Sequence, residues 1–244
     1  MSDYPTQARS VPAGQANMAL DAGLRAFMLS VYNKMGVGLV LSAGLAWLVG
    51  ATPALSATLL APPLAYFVMF APLAILLVAA FAMRNPSPVG ASVVYWSVVS
   101  LIGVAMGAIV YHYARVPDGL VIVAKAFLVT AASFGALSLW GYTTKRDLTG
   151  FGTFLIMGVI GLVIASIVNL FIASSALSFA ISVIGVLVFA LLTAFDTQRL
   201  KYMYYDLGGD QRAMSVASTY GALSLYLSFI NLFQFILHLM SPRD

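Results

Sequence analysis

The sequence predicts an all-α integral membrane protein with seven transmembrane helices, and three observations carry that expectation. Of its 244 residues, 61% are hydrophobic and only 8% are charged, at a mean hydropathy of +0.97. A soluble domain carries roughly a quarter of its residues as charges, so the solvent for this surface must be lipid. The apolar residues also fall into charge-free runs long enough to cross a bilayer core, which takes about 20 residues. Finally, Lys and Arg gather in alternate connections between those runs, as cytoplasmic loops do.

The elements follow in order. Residues 1–26, MSDYPTQARSVPAGQANMALDAGLRA, are polar and rich in Pro, Gly and Ala. They lack the apolar core of a signal peptide, and Asp3 stands where positive charge belongs in one. They read as a flexible cytoplasmic tail with a short amphipathic turn near 18–24, ahead of a membrane domain at 27–244. The charge-free runs 35–83, 85–114, 126–144, 148–195 and 213–242 divide into spans at roughly 28–50, 64–83, 90–111, 120–140, 151–171, 178–197 and 215–238. ATPALSATLLAPP breaks the first pair, and ASSALS separates spans five and six.

Orientation comes from the basic residues. Arg9, Arg25, Lys34, Arg84, Lys145, Arg146, Arg199, Lys201 and Arg212 fall on one side, and Arg115, Lys125 and Arg243 on the other. Nine against three puts the amino terminus in the cytoplasm. Seven spans then carry the carboxyl terminus outside, unless the seventh segment is re-entrant. Tyr and Trp at Trp96, Tyr111, Trp140, Tyr142 and Tyr202 fit interfacial belts, while Gly103 and Gly107, four apart, suit close helix approach.

Little in the chain supports covalent chemistry. A formal charge of +4 is too small to suggest nucleic acid, and with no Cys there are no disulfides, thiolate metal sites or thiol nucleophile. Neither GxSxG nor HExxH occurs. His112 and His238 lie on different spans without clustered carboxylates and read as interfacial. Lys125, one turn into span four, reads as a snorkelling lysine. YYD at 204–206 and GGD at 208–210 look like intramembrane aspartyl protease signatures. That chemistry needs carboxylates facing each other from two helices, whereas Asp206 and Asp210 share one connection. They read as a glycine-containing loop ending a helix. We therefore expect no enzyme, no cofactor and no metal site.

Asp196 is the exception. It ends the run SVIGVLVFALLTAF, with Arg199 and Lys201 just behind it. A carboxylate costs about 2.5–3.5 kcal/mol at the centre of a spanning helix and less toward the interface. One reading is an interfacial Asp paired with Arg199 at i+3; the other is a buried carboxylate whose protonation switches its partners. In span seven, Ser224, Ser228, Asn231 and Gln234 recur at spacings of four, three and three, which lines them along one helical face. Such a stripe serves equally as interhelical glue or as the lining of a conduction path.

FDTQRLK after span six, LSLYLSFINLF in span seven, GYTTKRDLTGFG between spans four and five, and VYNKMGVGLVLSAG in span one together resemble the Bax inhibitor-1 family, in particular its bacterial YccA-like branch. The likeness covers nearly the whole chain from Arg25. It implies seven helices with the last surrounded by the other six, and a pH-sensitive calcium leak across the inner membrane. The family gates that leak with two aspartates, one on helix six and one on helix seven. The first maps onto Asp196; the second falls in the pattern LYLDFINLF, where this chain has Ser228. The resemblance also implies an alternative, a non-conducting protein that modulates a membrane-bound AAA protease or a stress response.

Overall fold

The computed structural model describes residues 13–83 and 85–241. Eight α-helices follow one another: α1 Ala13–Ala51, α2 Pro53–Leu59, α3 Leu64–Ala82, α4 Pro88–Tyr113, α5 Gly119–Thr143, α6 Gly152–Ile172, α7 Ser175–Asp206 and α8 Gln211–Met240. A 3-10 turn, Thr149–Phe151, precedes α6, and no strand occurs among the described residues. Seven of the helices, all but α2, are long and apolar enough to cross a membrane. The chain is thus an all-α, multi-pass membrane protein, and the expected span count holds.

The expected boundaries shift at three places. α1 begins at Ala13, so the stretch 13–26 read as tail is helical, and residues 1–12 of that tail lie outside the described residues. The break after span one contains α2, whose Ser56 Oγ donates to Val49 O at 2.6 Å and folds the short helix back on the end of α1. α7 runs on to Asp206, nine residues past the expected end of span six at 197. Loss of hydropathy marks where a helix leaves the bilayer core, and the helix itself continues while its backbone hydrogen bonds do.

Local chemistry explains the ends. Ser87 caps α4 by accepting from Gly90 N, and Ser174 caps α7 by accepting from Leu177 N. Asp210 caps α8, accepting from Arg212 N at 2.9 Å and Ala213 N at 3.2 Å. Such caps satisfy N–H groups that a helix leaves open in its first turn. Gly208 and Gly209, at φ 56° and 90°, turn the chain between α7 and α8 in the left-handed region where glycine carries no Cβ penalty.

Packing is close where small residues meet. A Cβ on Gly103 would stand 2.7 Å from Ser42 Cα, and one on Gly107 2.6 Å from Val49 Cγ1, so α4 lies backbone-to-backbone on α1. Ser42 Oγ donates to Val99 O at 3.0 Å and shares a 2.7 Å hydrogen bond with Tyr226 Oη, pinning α1 and α4 to α8. Lys34 Nζ donates to Ser218 Oγ at 2.7 Å and Thr219 Oγ1 at 2.8 Å, a second link from α1 to α8. The last helix packs against α1, α4, α5 and α7; α3 lies on α4, and α6 on α7. Four helices therefore cover α8 directly, where the resemblance implied six.

Candidate functional site

Asp196 sits on the face of α7 that meets α8, 6% exposed. Ser224 Oγ, on α8, donates to its Oδ2 at 2.7 Å. Ser228, one turn further along α8, is buried near the same carboxylate, and Arg199 acts on it through charge. The main anchor of Asp196 is thus the seryl face of α8, with exposed Arg199 one turn away toward the helix end. No buried side-chain N or O among the described residues lacks a hydrogen-bond partner, as polar groups in an apolar medium require.

Asp196 and Ser224 form the floor of a recess of about 780 Å³ between the ends of α7 and α8, bordered by Asn85 and Pro86 of the α3–α4 connection. Arg199, Asp210 and Arg212 ring it, and Tyr220 lines its wall. We call this the inner recess, because it opens on the side of the α7–α8 connection. It holds two carboxylates and two guanidinium groups around an otherwise apolar wall.

The rest of the α8 stripe is spread along the same seam. Asn231 Nδ2 donates to Leu227 O at 2.8 Å, back onto its own helix. Gln234 lies farther out, in a second recess of about 320 Å³ between α6, α7 and α8 that also holds His238. The stripe therefore divides: Ser224 holds Asp196 with Ser228 buried one turn on, and Gln234 lies in the other recess.

Other singled-out residues lie elsewhere. His112 stacks edge-on against Tyr113, with ring centroids 5.3 Å apart, in the last turn of α4. Lys125 is exposed on α5. Asp206 is the last residue of α7 and Asp210 caps α8, so the protease-like pair flanks the single turn between two consecutive helices. Among the described residues no group of three His, Asp or Glu gathers to hold a metal ion.

Sequence reasoning missed Gln198. It is 2% exposed. Its Oε1 accepts from Leu148 N at 2.8 Å and its Nε2 donates to Arg146 O at 2.8 Å, so one amide clamps the α5–α6 connection. Lys201 Nζ adds a 3.2 Å bond to Tyr142 O and stands 5.3 Å from that residue's ring centre. The segments FDTQRLK and GYTTKRDLTGFG thus form one joint. Within it, Asp147 accepts from Thr149 N at 2.9 Å and from the Thr149 hydroxyl, which hold its carboxyl below the usual carboxylate range. The available signal was an amide beside Asp196 and Thr197 at the end of an otherwise apolar span.

Comparison with known proteins matches residues 24–244 to the family model described as inhibitor of apoptosis-promoting Bax1. A protein of Caulobacter vibrioides is 54% identical over 239 residues, covering 94% of each chain. Protein RP147 of Rickettsia prowazekii is 37% identical over 243 residues, covering 100% of this chain and 99% of its own. The inner membrane protein YbhL of Escherichia coli is 39% identical over 224 residues, covering 91% of this chain and 94% of its own.

Proposed function

This chain belongs to the Bax inhibitor-1 family of membrane proteins, and from that premise we propose that it is a pH-sensitive cation leak of the bacterial inner membrane, carrying calcium, with Asp196 as its gating carboxylate. The observation that carries the reading is the position of Asp196: buried between two helices, yet at the floor of a recess that water and ions can enter. An ionised carboxylate there concentrates cations at the recess and accepts the Ser224 hydroxyl hydrogen bond that draws α8 to α7. Protonation removes that charge, weakens both the Ser224 bond and the attraction of Arg199, and loosens the inner end of the seam. Ser228 stands where the family pattern has the second aspartate, so a single carboxylate carries the charge at this point. The nearby titratable and charged groups are Arg199 on α7, Asp210 at the cap of α8, and Arg212 and Tyr220 on α8.

The reading includes a cytoplasmic amino terminus, a membrane domain from residue 27 and no covalent chemistry. Purified protein in liposomes, followed by a calcium indicator across a pH series, tests it. The expected outcome is a flux that depends on pH in the wild type and loses that dependence in Asp196→Asn, which keeps the side-chain shape and deletes the charge. A wild-type protein that passes no calcium at any pH would refute the leak. It would leave the alternative inherited from the family resemblance, a partner of a membrane-bound AAA protease.

A further inference from the structure

The inner recess and the second recess between α6, α7 and α8, called the outer recess from here on, lie at opposite ends of one seam, and we propose that they are the two halves of a permeation path closed by the stacked rings of Phe189 and Phe235. The proposal rests on the leak reading above and adds where the path runs and what shuts it.

The antiparallel register of α7 and α8 fixes the order of groups along the seam. At its inner end Asp196 meets Ser224. Eleven residues farther out on each helix, Gly185 meets Phe235: a Cβ on Gly185 would stand 2.6 Å from the Phe235 ring. Beyond that point α6, α7 and α8 open into the recess that holds Asn169, Ser182, Gln234 and His238. Asp196 and Ser182 are fourteen residues apart on one helix, about 21 Å at 1.5 Å per residue. The two recesses thus face most of a bilayer core of roughly 30 Å from its two sides.

Gln234 and His238 are polar, and a polar group left unsatisfied in hydrocarbon costs several kcal/mol, so a recess that admits water suits them. Both are exposed on α8 and line a recess rather than lying against packed protein. Between the recesses, the ring of Phe189 stacks on that of Phe235 at 5.9 Å and 30°. Phe189 is buried and packs in the apolar core. Asn231 lies at the same level as Phe189, its amide nitrogen bonded to its own helix. A short apolar constriction between two wet half-channels blocks ions by excluding water. Gly185 leaves the room that lets the Phe235 ring lie flat across the seam, where any larger residue would push it aside.

Because the protein has no native Cys, single cysteines report water access without background. Gln234→Cys marks the outer recess and Ala217→Cys the inner one. Membrane vesicles of defined orientation are treated with a small, charged, membrane-impermeant thiosulfonate. Each cysteine is expected to react from one side only, and the two from opposite sides. Adding Phe235→Ala is expected to let each react from the far side as well, with at least a tenfold gain in far-side rate. Phe189→Leu, which keeps apolar bulk and so preserves the fold, is expected to give a smaller gain in the same direction. Far-side rates unchanged in both backgrounds would overturn the gate, whatever the flux. Calcium flux measured on the same variants separates this proposal from the one it rests on. Far-side access without calcium flux keeps the gate and refutes the calcium leak; wild-type flux with unchanged access and unchanged flux in the variants keeps the leak and refutes the gate.

Discussion

At Gln198 a single side chain satisfies two backbone groups of a distant connection, the N–H of Leu148 and the carbonyl of Arg146, each at 2.8 Å. Both partners are within reach of α7 only because α5 and α7 pack together at this end. Removing a buried partner exposes the groups left behind to a desolvation cost of about 1–3 kcal/mol. Gln198→Ala is therefore expected to destabilise the protein by about that much. It should also release the α5–α6 connection, so that trypsin cuts at Lys145 or Arg146 in the folded protein faster than in wild type. Cleavage at the wild-type rate would mean the connection is held by other contacts. At this scale the sequence was half legible. Asp196 stands out because a carboxylate in an apolar run is costly; Gln198, uncharged and two residues on, carries no such signal, and its partners lie 50 and 52 residues away. The same holds for Lys34, which counted in the sequence as one more basic residue. In the structure it spans from α1 to the hydroxyls of Ser218 and Thr219 on α8.

Among the elements, the crossing of α5 over α7 sets where Asp196 can stand. Gly141 makes that crossing possible: a Cβ there would lie 2.3 Å from Ala194 O and 2.8 Å from Ala194 Cα. These are backbone atoms two residues from Asp196, so they cannot swing away as the end of a flexible side chain could. Gly141→Ala must push the two helices apart. The expected cost is about 1–3 kcal/mol, as for overpacking elsewhere in a close-packed interior. It should appear as a lower unfolding temperature in detergent, together with loss of the Ser138–Thr197 contact that ties the same helices at 3.3 Å. Gly36, with nothing within 4 Å of its would-be Cβ, is the control: Gly36→Ala is expected to leave the unfolding temperature unlowered. Equal losses at both positions would show that the close approach at Gly141 has no special weight. Small residues four apart, at Gly103 and Gly107, signalled a close helix approach from sequence alone, and the structure supplies its partner, α1. Gly141 has no such neighbour, and only the three-dimensional crossing reveals it.

Across the whole molecule, fold class and span count were legible because they follow from hydropathy, a property summed over twenty residues and insensitive to any one of them. Which helix touches which was not, since α8 meets four of the other spanning helices through contacts between residues far apart in the chain. Orientation belongs to this scale too, because it depends on all the connections together. Arg25, Lys34, Lys145, Arg146, Arg199, Lys201 and Arg212 fall on the side of the α7–α8 connection, and Arg115 falls on the opposite side. Cationic residues are retained on the cytoplasmic side during insertion, so the inner recess with Asp196 should face the cytoplasm and the recess with Gln234 and His238 the outside. The absence of Cys makes the labelling map clean. An impermeant maleimide added to intact cells is expected to label Ser175→Cys, exposed at the start of α7, and Asp244→Cys at the carboxyl terminus. It should fail to label Lys145→Cys, exposed in the α5–α6 connection, until the cells are permeabilised. The pattern matters beyond bookkeeping of loops. If the inner recess faces the cytoplasm, the proposed gating carboxylate Asp196 would sample cytoplasmic pH, and acidification inside the cell would be what changes the proposed leak. Labelling of Lys145→Cys in intact cells would reverse the molecule, place Asp196 under external pH, and require the pH response to be tested from the other side. Protection of Asp244→Cys alongside labelling of Ser175→Cys would instead return the end of α8 to the cytoplasm, and the outer recess could then no longer open on the far side of the membrane.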